Sequence, residues 1–359
     1  MKTLVLGFFT PWIGYALITL LHCIIPAKKS AGYVRNEKTG ELLNYRINGI
    51  FVLIACILIW FALGKLNLVP FTWMYDVRWQ SLSGAAVLGL IFSCASVLPY
   101  PSTGKNFFAD FFLGRLKNPQ FKNGFIDAKM WLYLIGAVWL QINILSFAVH
   151  HWQSSGFINT GYLAATACLT YFLWDYLLNE KIHVYTYDII AERVGFKLMF
   201  GCLAFYPYFY SVSLWATVDL PNPQRPLWYT ILCVVIYLSV WAIARGANMQ
   251  KYYFKIAPEK SFLGIKPLIL SDSEHSLLAN GFWGKSRHIN YLGEILEAAG
   301  IALATGYFAV WLVWLYPLYY VLLFITREMD DNKICKTKYG ELWDEYKKKA
   351  KYRIIPYIY

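Results

Sequence analysis

Two stretches of this chain combine cations with flat rings. The segment from Arg245 to Asn290 carries seven Lys or Arg residues. The tail from Arg327 to Tyr359 carries nine, interleaved with Tyr339, Trp343, Tyr346, Tyr352, Tyr357 and Tyr359. Cations hold phosphates and rings stack on bases, so this pattern suits a phosphate-bearing nucleotide. A second set is acidic: Asp175, Glu180, Asp188, Glu192, Glu294 and Glu297 lie in or beside apolar runs. A carboxylate in such a setting is costly and is a functional candidate, the structural alternative being an ion pair between helices. A carboxyl kept in a dry site stays protonated at neutral pH and can serve as an acid.

Other chemistries are poorly served. The chain has neither a GxGxxG nor a Walker sequence, so a Rossmann or P-loop nucleotide site is not supported. Any nucleotide site has to be built from helix ends and the two polar segments. The seven cysteines include no CxxC pair, and six of them lie in apolar stretches, where they act as small hydrophobes. His150 and His151 are adjacent but lack a third ligand, and Glu294 and Glu297 share a helix face without histidine or cysteine beside them. No metal is expected.

The elements that must position these residues follow from composition. Of 359 residues, 58% are hydrophobic and only 15% are charged. A soluble domain carries about a quarter charged residues. A disordered chain, a disulfide-rich miniprotein and an ordinary cytosolic enzyme are thereby excluded. Apolar stretches of membrane length run over 4–25, 49–69, 82–100, 129–149, 159–178, 194–217 and 227–244, with a further pair at 291–306 and 308–325. The first is too long for a signal-peptide core and reads as a span. Pro207 and Pro317 fall inside spans, where proline is tolerated.

The net charge of +12 is distributed unevenly. Lys and Arg are numerous in the loops 26–48 and 101–129, in 179–197, in 245–290 and in the tail, and scarce in the loops between. This alternation puts the basic loops and the C-terminus in the cytoplasm and the N-terminus outside. The expected fold is an all-α polytopic bundle of nine to ten transmembrane helices, touching membrane lipid and, without a basic reading domain, no nucleic acid.

The stretch Leu277-Leu278-Ala279-Asn280-Gly281-Phe282-Trp283-Gly284-Lys285-Ser286-Arg287-His288-Ile289-Asn290-Tyr291-Leu292-Gly293-Glu294 resembles the LLxxGWWGxxRHxNYxGD signature of the sterol reductase family. That family includes the delta-14, delta-7 and delta-24(28) sterol reductases and the membrane domain of the lamin B receptor. The tail is similar to the family's C-terminal signature through Arg327, Asp331, Cys335, Lys338-Tyr339-Gly340, Trp343, Tyr346 and Tyr352-Arg353-Ile354-Ile355-Pro356-Tyr357-Ile358-Tyr359. Arg245-Gly246-Ala247-Asn248-Met249-Gln250-Lys251 resembles its RGANxQK segment. Asp175, Glu180, Thr186, Asp188, Gly195, Phe196 and Pro207 fit its middle helices. The chain departs from the family pattern at Thr326, Asp330, Lys347, Ala350-Lys351 and Phe172.

The resemblance implies an NADPH-dependent reductase of a sterol double bond. It implies N-terminal helices over 1–180 on the sterol side and a C-terminal half over 181–359 with the cofactor pocket at the cytoplasmic face. By motif, Lys251 and Lys255 meet cofactor phosphate. Phe282, Trp283, Arg287, His288, Asn290 and Tyr291 line the pocket, and Arg327, Asp331, Lys338, Tyr339, Tyr346, Tyr352 and Arg353 complete it. The implied compartment is the endoplasmic reticulum membrane in a eukaryote or the inner membrane in a bacterium.

An isolated alkene is not electrophilic, so one carbon must be protonated as the other accepts hydride. Asp331 and Glu180 are the candidate acids, and a tyrosine relaying from a carboxyl, Tyr171 or Tyr176 near Phe172, is the variant. Two other readings compete. The RHxNYxG piece is also similar to isoprenylcysteine carboxyl methyltransferases, which use S-adenosylmethionine. A non-enzymatic sterol-binding scaffold like the lamin B receptor is the other. The Phe282-Trp283-Gly284 triplet leans to delta-7 members and Trp314–Leu323 to delta-24(28) members, so the reduced position stays open.

Overall fold

The computed structural model describes residues 2–37, 39–155 and 159–359. Lys38, in the basic loop 26–48, and residues 156–158, before the expected span 159–178, lie outside the described residues. The chain divides into two compact units, one ending at Asn222 and the other running from Pro223 to Tyr359.

The first unit holds α1 (Lys2–Ile24), α2 (Gly49–Lys65), α3 (Arg78–Val97), α4 (Ala128–Ser155) and α5 (Thr160–Leu178), followed by the interrupted helical segment Phe196–Thr217. Helix α4 is buried along most of its length and packs on α1, α2, α5 and the interrupted segment. Helix α1 instead turns Leu4, Leu6, Ile13, Leu20 and Ile24 outward. A row of exposed leucines and isoleucines on a helix with no polar face belongs against lipid. Among the described residues, five helices are long and apolar enough to cross a membrane: Lys2–Ile24, Arg78–Val97, Ala128–Ser155, Phe196–Thr217 and Leu227–Ile256. Gly49–Lys65 is apolar but shorter.

Close helix approach is bought with small residues. A Cβ at Gly84 of α3 would lie 1.8 Å from the Phe8 carbonyl oxygen of α1. Without it, Trp12 Nε1 donates across to the Gly84 carbonyl at 2.9 Å. In lipid, backbone proximity and inter-helix hydrogen bonds replace the hydrophobic effect as the drive for packing.

The segment Phe196–Thr217 is where the expected single span 194–217 differs most. Residues Gly201–Phe205 form a π turn just before Pro207. Pro207 has no N–H to give the carbonyl of Leu203, one turn earlier. That carbonyl accepts the Tyr15 hydroxyl from α1 instead, and Asn143 Nδ2 donates to the Pro207 carbonyl at 2.9 Å.

The polar loops are also more ordered than an all-helical reading anticipates. Strands β1 (Lys28–Arg35) and β2 (Leu42–Ile47) pair antiparallel, as do β3 (Gln120–Phe121) and β4 (Ile126–Asp127). Arg46, from a loop expected only to set orientation, caps α1: its guanidinium donates to the carbonyls of His22, Cys23 and Ile25 at 2.9, 3.1 and 2.6 Å. A cation on the free carbonyls of a helix C-terminus satisfies them and opposes the macrodipole.

The second unit is built on α6 (Leu227–Ile256), α7 (Ile289–Ala304) and α8 (Leu315–Lys349), with the hairpin β5 (Ile269–Ser271) and β6 (Ser276–Leu278) between α6 and α7. Helix α6 continues twelve residues past the expected end of its span, carrying the RGANMQK segment as its last turns. Gly293 brings α7 against α6, since a Cβ there would be 2.6 Å from that of Ala244. Helix α8 is broken at Gly340, whose φ of 52° and ψ of −120° redirect residues 341–349.

Candidate functional site

The motif-bearing residues of the second unit converge around Lys251. One turn from the end of α6, its ammonium lies 4.8 Å from the centroid of the Trp283 ring. Trp283 sits in the short helix Phe282–Lys285, which begins after Gly281 in a left-handed conformation. Three contacts hold that helix. Trp283 Nε1 donates to the Ala247 carbonyl at 2.8 Å, the Phe282 N–H donates to Gln250 Oε1 at 3.0 Å, and the Tyr346 hydroxyl donates to the Trp283 carbonyl at 2.9 Å. Trp283 is buried with Ala247, Phe254, Leu278 and Ile289.

Helix α8 supplies the opposite wall. Phe324, Glu328, Asp331, Cys335 and Tyr339 recur three or four residues apart and so share one face. Asp331 Oδ2 lies 3.7 Å from His288 Nε2 and 3.7 Å from Cys335 Sγ. Burial raises the Asp331 carboxyl above its ordinary range, against the pull of the Lys251 charge and the Cys335 thiol. Burial, with the charges of Lys251 and Arg287, pushes His288 down to about 3. His288 is therefore neutral at physiological pH, and its approach to Asp331 is not an ion pair. Burial also lifts the Cys335 thiol to about 12, with the Asp331 charge adding to it, so it is a packing group and not a nucleophile.

The aromatic residues form two stacks. His288, Tyr291 and Phe324 lie parallel at centroid separations of 4.8 and 4.4 Å. Tyr339, Trp343 and Tyr346 run along the break at Gly340 at 6.4 and 5.1 Å, packed with Ala279 and Ala350. Lys338 lies over Tyr339 at 5.0 Å and shares a cleft of about 400 Å³ with Lys333, Ile334 and Thr337.

The remaining expected residues are placed as follows. Arg287 donates to the carbonyls of Ala350 and Lys351, both at 3.2 Å, and Arg353 donates to Glu328 Oε2 at 3.2 Å. Tyr352 contributes its carbonyl, which accepts the Arg287 N–H at 3.0 Å, and its ring meets that of Tyr357 at a 54° tilt. Lys255 lies 5.8 Å from the Phe254 centroid and Arg327 6.0 Å from that of Phe324. Asn290 is buried at the start of α7.

Glu180 and Tyr176 belong to the first unit. Glu180 Oε2 accepts the Gly49 N–H at 2.8 Å and so caps the N-terminus of α2. Burial raises this carboxyl to about 7, opposed by the N–H groups of Gly49 and Asn48. Tyr176 stacks on His183 at 3.9 Å. His150, of the adjacent pair, is bonded to Asp219 at 3.0 Å, while His151 Nδ1 lies 2.6 Å from the Val218 carbonyl.

Sequence reasoning missed Glu328, Gln250 and Ser286. Glu328 is fully buried between two arginines, and the one signal for it was its place on the Phe324–Asp331 face of a helix. Gln250 sits in the RGANMQK segment itself.

The residues present suit a nicotinamide dinucleotide phosphate. His288 Nε2 and Asn290 Oδ1 are buried without a hydrogen-bond partner, Lys251 lies near enough to His288 to lower its pKa, and Trp283 presents a ring under that cation. Buried polar atoms are normally satisfied, so orphans grouped at a cation and two aromatic stacks mark a place for a polar, ring-bearing ligand.

Comparison with known proteins bears on the reaction and the substrate class. The family model described as "Ergosterol biosynthesis ERG4/ERG24 family" matches residues 2–359. A protein named Delta(14)-sterol reductase from Arabidopsis thaliana is 32% identical over 94% of this chain and 91% of its own length. One of the same name from Methylotuvimicrobium alcaliphilum is 30% identical over 89% of the chain and 76% of its own length. The Saccharomyces cerevisiae Delta(14)-sterol reductase is 30% identical over 97% and 82%. The methyltransferase and scaffold readings find no support in these matches.

Proposed function

The chain belongs to the ergosterol biosynthesis ERG4/ERG24 family, the sterol reductases, and from that membership we propose that it reduces the delta-14 double bond of a sterol with NADPH. The observation that carries the cofactor assignment is the grouping of Lys251, Trp283, His288 and Asp331. The delta-14 position rests on the names of the relatives.

When bound, the nicotinamide supplies hydride. The protein's own residues do the rest. Lys251 meets negative charge on the cofactor, with Lys255, Arg327 and Lys338 the further cations on that side. His288, neutral, offers a donor or acceptor without competing for the anion. Asp331, whose carboxyl burial raises above its ordinary range, is the acid that gives a proton to the alkene carbon whose protonation leaves the more substituted cation. We assign the acid to Asp331, since Glu180 is committed to the end of α2. Tyr176 remains the relay candidate in the N-terminal region.

The same reading gives residues 1–180 the sterol and 181–359 the cofactor, in a bundle of nine to ten spans with the N-terminus outside and the C-terminus cytoplasmic. The membrane is the endoplasmic reticulum in a eukaryote and the inner membrane in a bacterium. The test is to purify the protein in nanodiscs and supply NADPH with sterols unsaturated at positions 14, 7 or 24(28). Cofactor consumption and a mass gain of two hydrogens only with the delta-14 sterol are expected. Reduction of another position would overturn the regiochemistry, and no cofactor consumption with any of them would overturn the activity.

A further inference from the structure

The segment Ala350–Ile355 runs beside the turn 286–288 and is registered on it at three consecutive residues. The Ser286 hydroxyl bonds to the carbonyls of Arg353 and Ile354 at 3.0 and 2.8 Å. The Arg287 N–H donates to Tyr352 O at 3.0 Å and the His288 N–H to Arg353 O at 2.9 Å. The backbone at His288 is thus held by the tail, while its ring stacks on Tyr291 of the helix that follows. Something must hold the tail.

Glu328 does so. It is fully buried on α8, one turn before Asp331. Its Oε2 accepts from Arg353 Nη1 at 3.2 Å, and its Oε1 lies 4.0 Å from Arg287 Nη2. Arg287, in turn, grips the tail carbonyls of Ala350 and Lys351. Without the carboxylate the buried Arg287 guanidinium would lose its counter-charge and the half-exposed Arg353 its buried anchor, an arrangement less favourable than the intact triad. The contacts close a ring: Glu328 holds Arg353, the tail holds His288, and His288 faces Asp331, three residues from Glu328 on the same helix face.

We propose that Glu328 is a positioning residue of the pocket: by bracing Arg353 and Arg287 it locks the tail onto residues 286–288 and thereby fixes His288 opposite Asp331. Glu328 acts through the two arginines and touches no ligand. The inference rests on the reading of this pocket as the cofactor site.

The test uses the full chain in nanodiscs and compares Glu328→Gln, which keeps the shape but loses the charge, with Glu328→Asp, which keeps the charge. Two quantities are read: hydrogen exchange of the peptide covering 286–288, and the affinity for NADPH from quenching of tryptophan fluorescence. In Glu328→Gln the amides of Arg287 and His288 are expected to exchange at least tenfold faster. NADPH affinity should fall by about tenfold, with the midpoint of global unfolding unchanged, and Glu328→Asp should recover most of both. Wild-type exchange at 286–288 in Glu328→Gln overturns the bracing. Loss of affinity equal in both variants, or in proportion to loss of folded protein, overturns the positioning role. If the wild type binds no NADPH while exchange at 286–288 still responds to Glu328→Gln, the bracing stands and the cofactor reading fails.

Discussion

Tyr346 donates its hydroxyl hydrogen to the carbonyl of Trp283 at 2.9 Å, across sixty-three residues of chain. Both residues are buried. The bond ties the part of α8 beyond Gly340 to the short helix that presents the indole to Lys251, so the tail and the 282–288 turn behave as one body.

Tyr346→Phe removes that donor and leaves a buried carbonyl without it. A buried polar group stripped of its partner is destabilising by about 1–3 kcal/mol. The variant should unfold several degrees lower and bind NADPH more weakly, because Trp283 is no longer held under Lys251. Thermal unfolding followed by tryptophan emission, alongside a cofactor titration, checks both. Unchanged affinity would separate the bond from the site.

Much of this was legible in the chain and some was not, for separable reasons. The apolar runs 4–25, 82–100, 129–149 and 159–178 predicted the helices found at 2–24, 78–97, 128–155 and 160–178, the third running six residues further, because in lipid a span must satisfy its own backbone and therefore shows as a long uncharged stretch. The π turn at Gly201–Phe205 was hidden: Pro207 marks a missing N–H, but which group takes the freed carbonyl depends on Tyr15, nearly two hundred residues earlier. Lys251, Trp283, His288 and Asp331 were readable by type and motif. Glu328 was not, because its role appears only once the tail folds back to bring Arg353 beside it. Glu180 was visible as an acid in an apolar setting, yet only the fold shows that the carboxylate is held at the start of α2.

Lys251 should control when Asp331 gives up its proton. Its charge is what draws the Asp331 carboxyl down against the effect of burial. Activity that needs protonated Asp331 falls as pH rises through that group's pKa. Lys251→Met removes the opposing charge, so the fall in kcat should move to higher pH, while NADPH affinity drops tenfold or more. Measuring kcat against pH at saturating NADPH tests this, and Asp331→Asn should abolish the limb altogether. A limb that stays in place in Lys251→Met would mean that another group is the acid.

Glu180 predicts a pH-dependent stability. Its folded pKa of about 7 lies above the ordinary 4.5, so the folded state binds the proton more tightly than the unfolded chain does. The stabilisation is complete below the unfolded value and is lost as pH rises through 7. At about 1.4 kcal/mol per pH unit the difference amounts to about 3 kcal/mol. Glu180→Gln removes the titration. Relative to wild type it should gain stability between pH 5 and pH 8, seen as a flatter dependence of the unfolding midpoint on pH. Parallel curves for the two proteins would show that Glu180 titrates normally.

Gly340 turns the last helix, and its backbone conformation admits only glycine comfortably. At φ 52° and ψ −120° a side chain costs about 1–3 kcal/mol. No heavy atom lies within 4 Å of where its Cβ would be, so Gly340→Ala is penalised by conformation alone and not by collision. The strain is relieved by straightening α8, which would swing Trp343 and Tyr346 away from Ala279 and Trp283. Gly340→Ala should therefore lose NADPH affinity well beyond its loss of overall stability. Gly264 provides the control. It also has positive φ, 77°, and open space at its Cβ, but lies in the exposed loop before β5. Gly264→Ala suffers the same kind of strain without moving the pocket, and should bind the cofactor as the wild type does. Equal affinity in both variants would show that the break at Gly340 does not set the site.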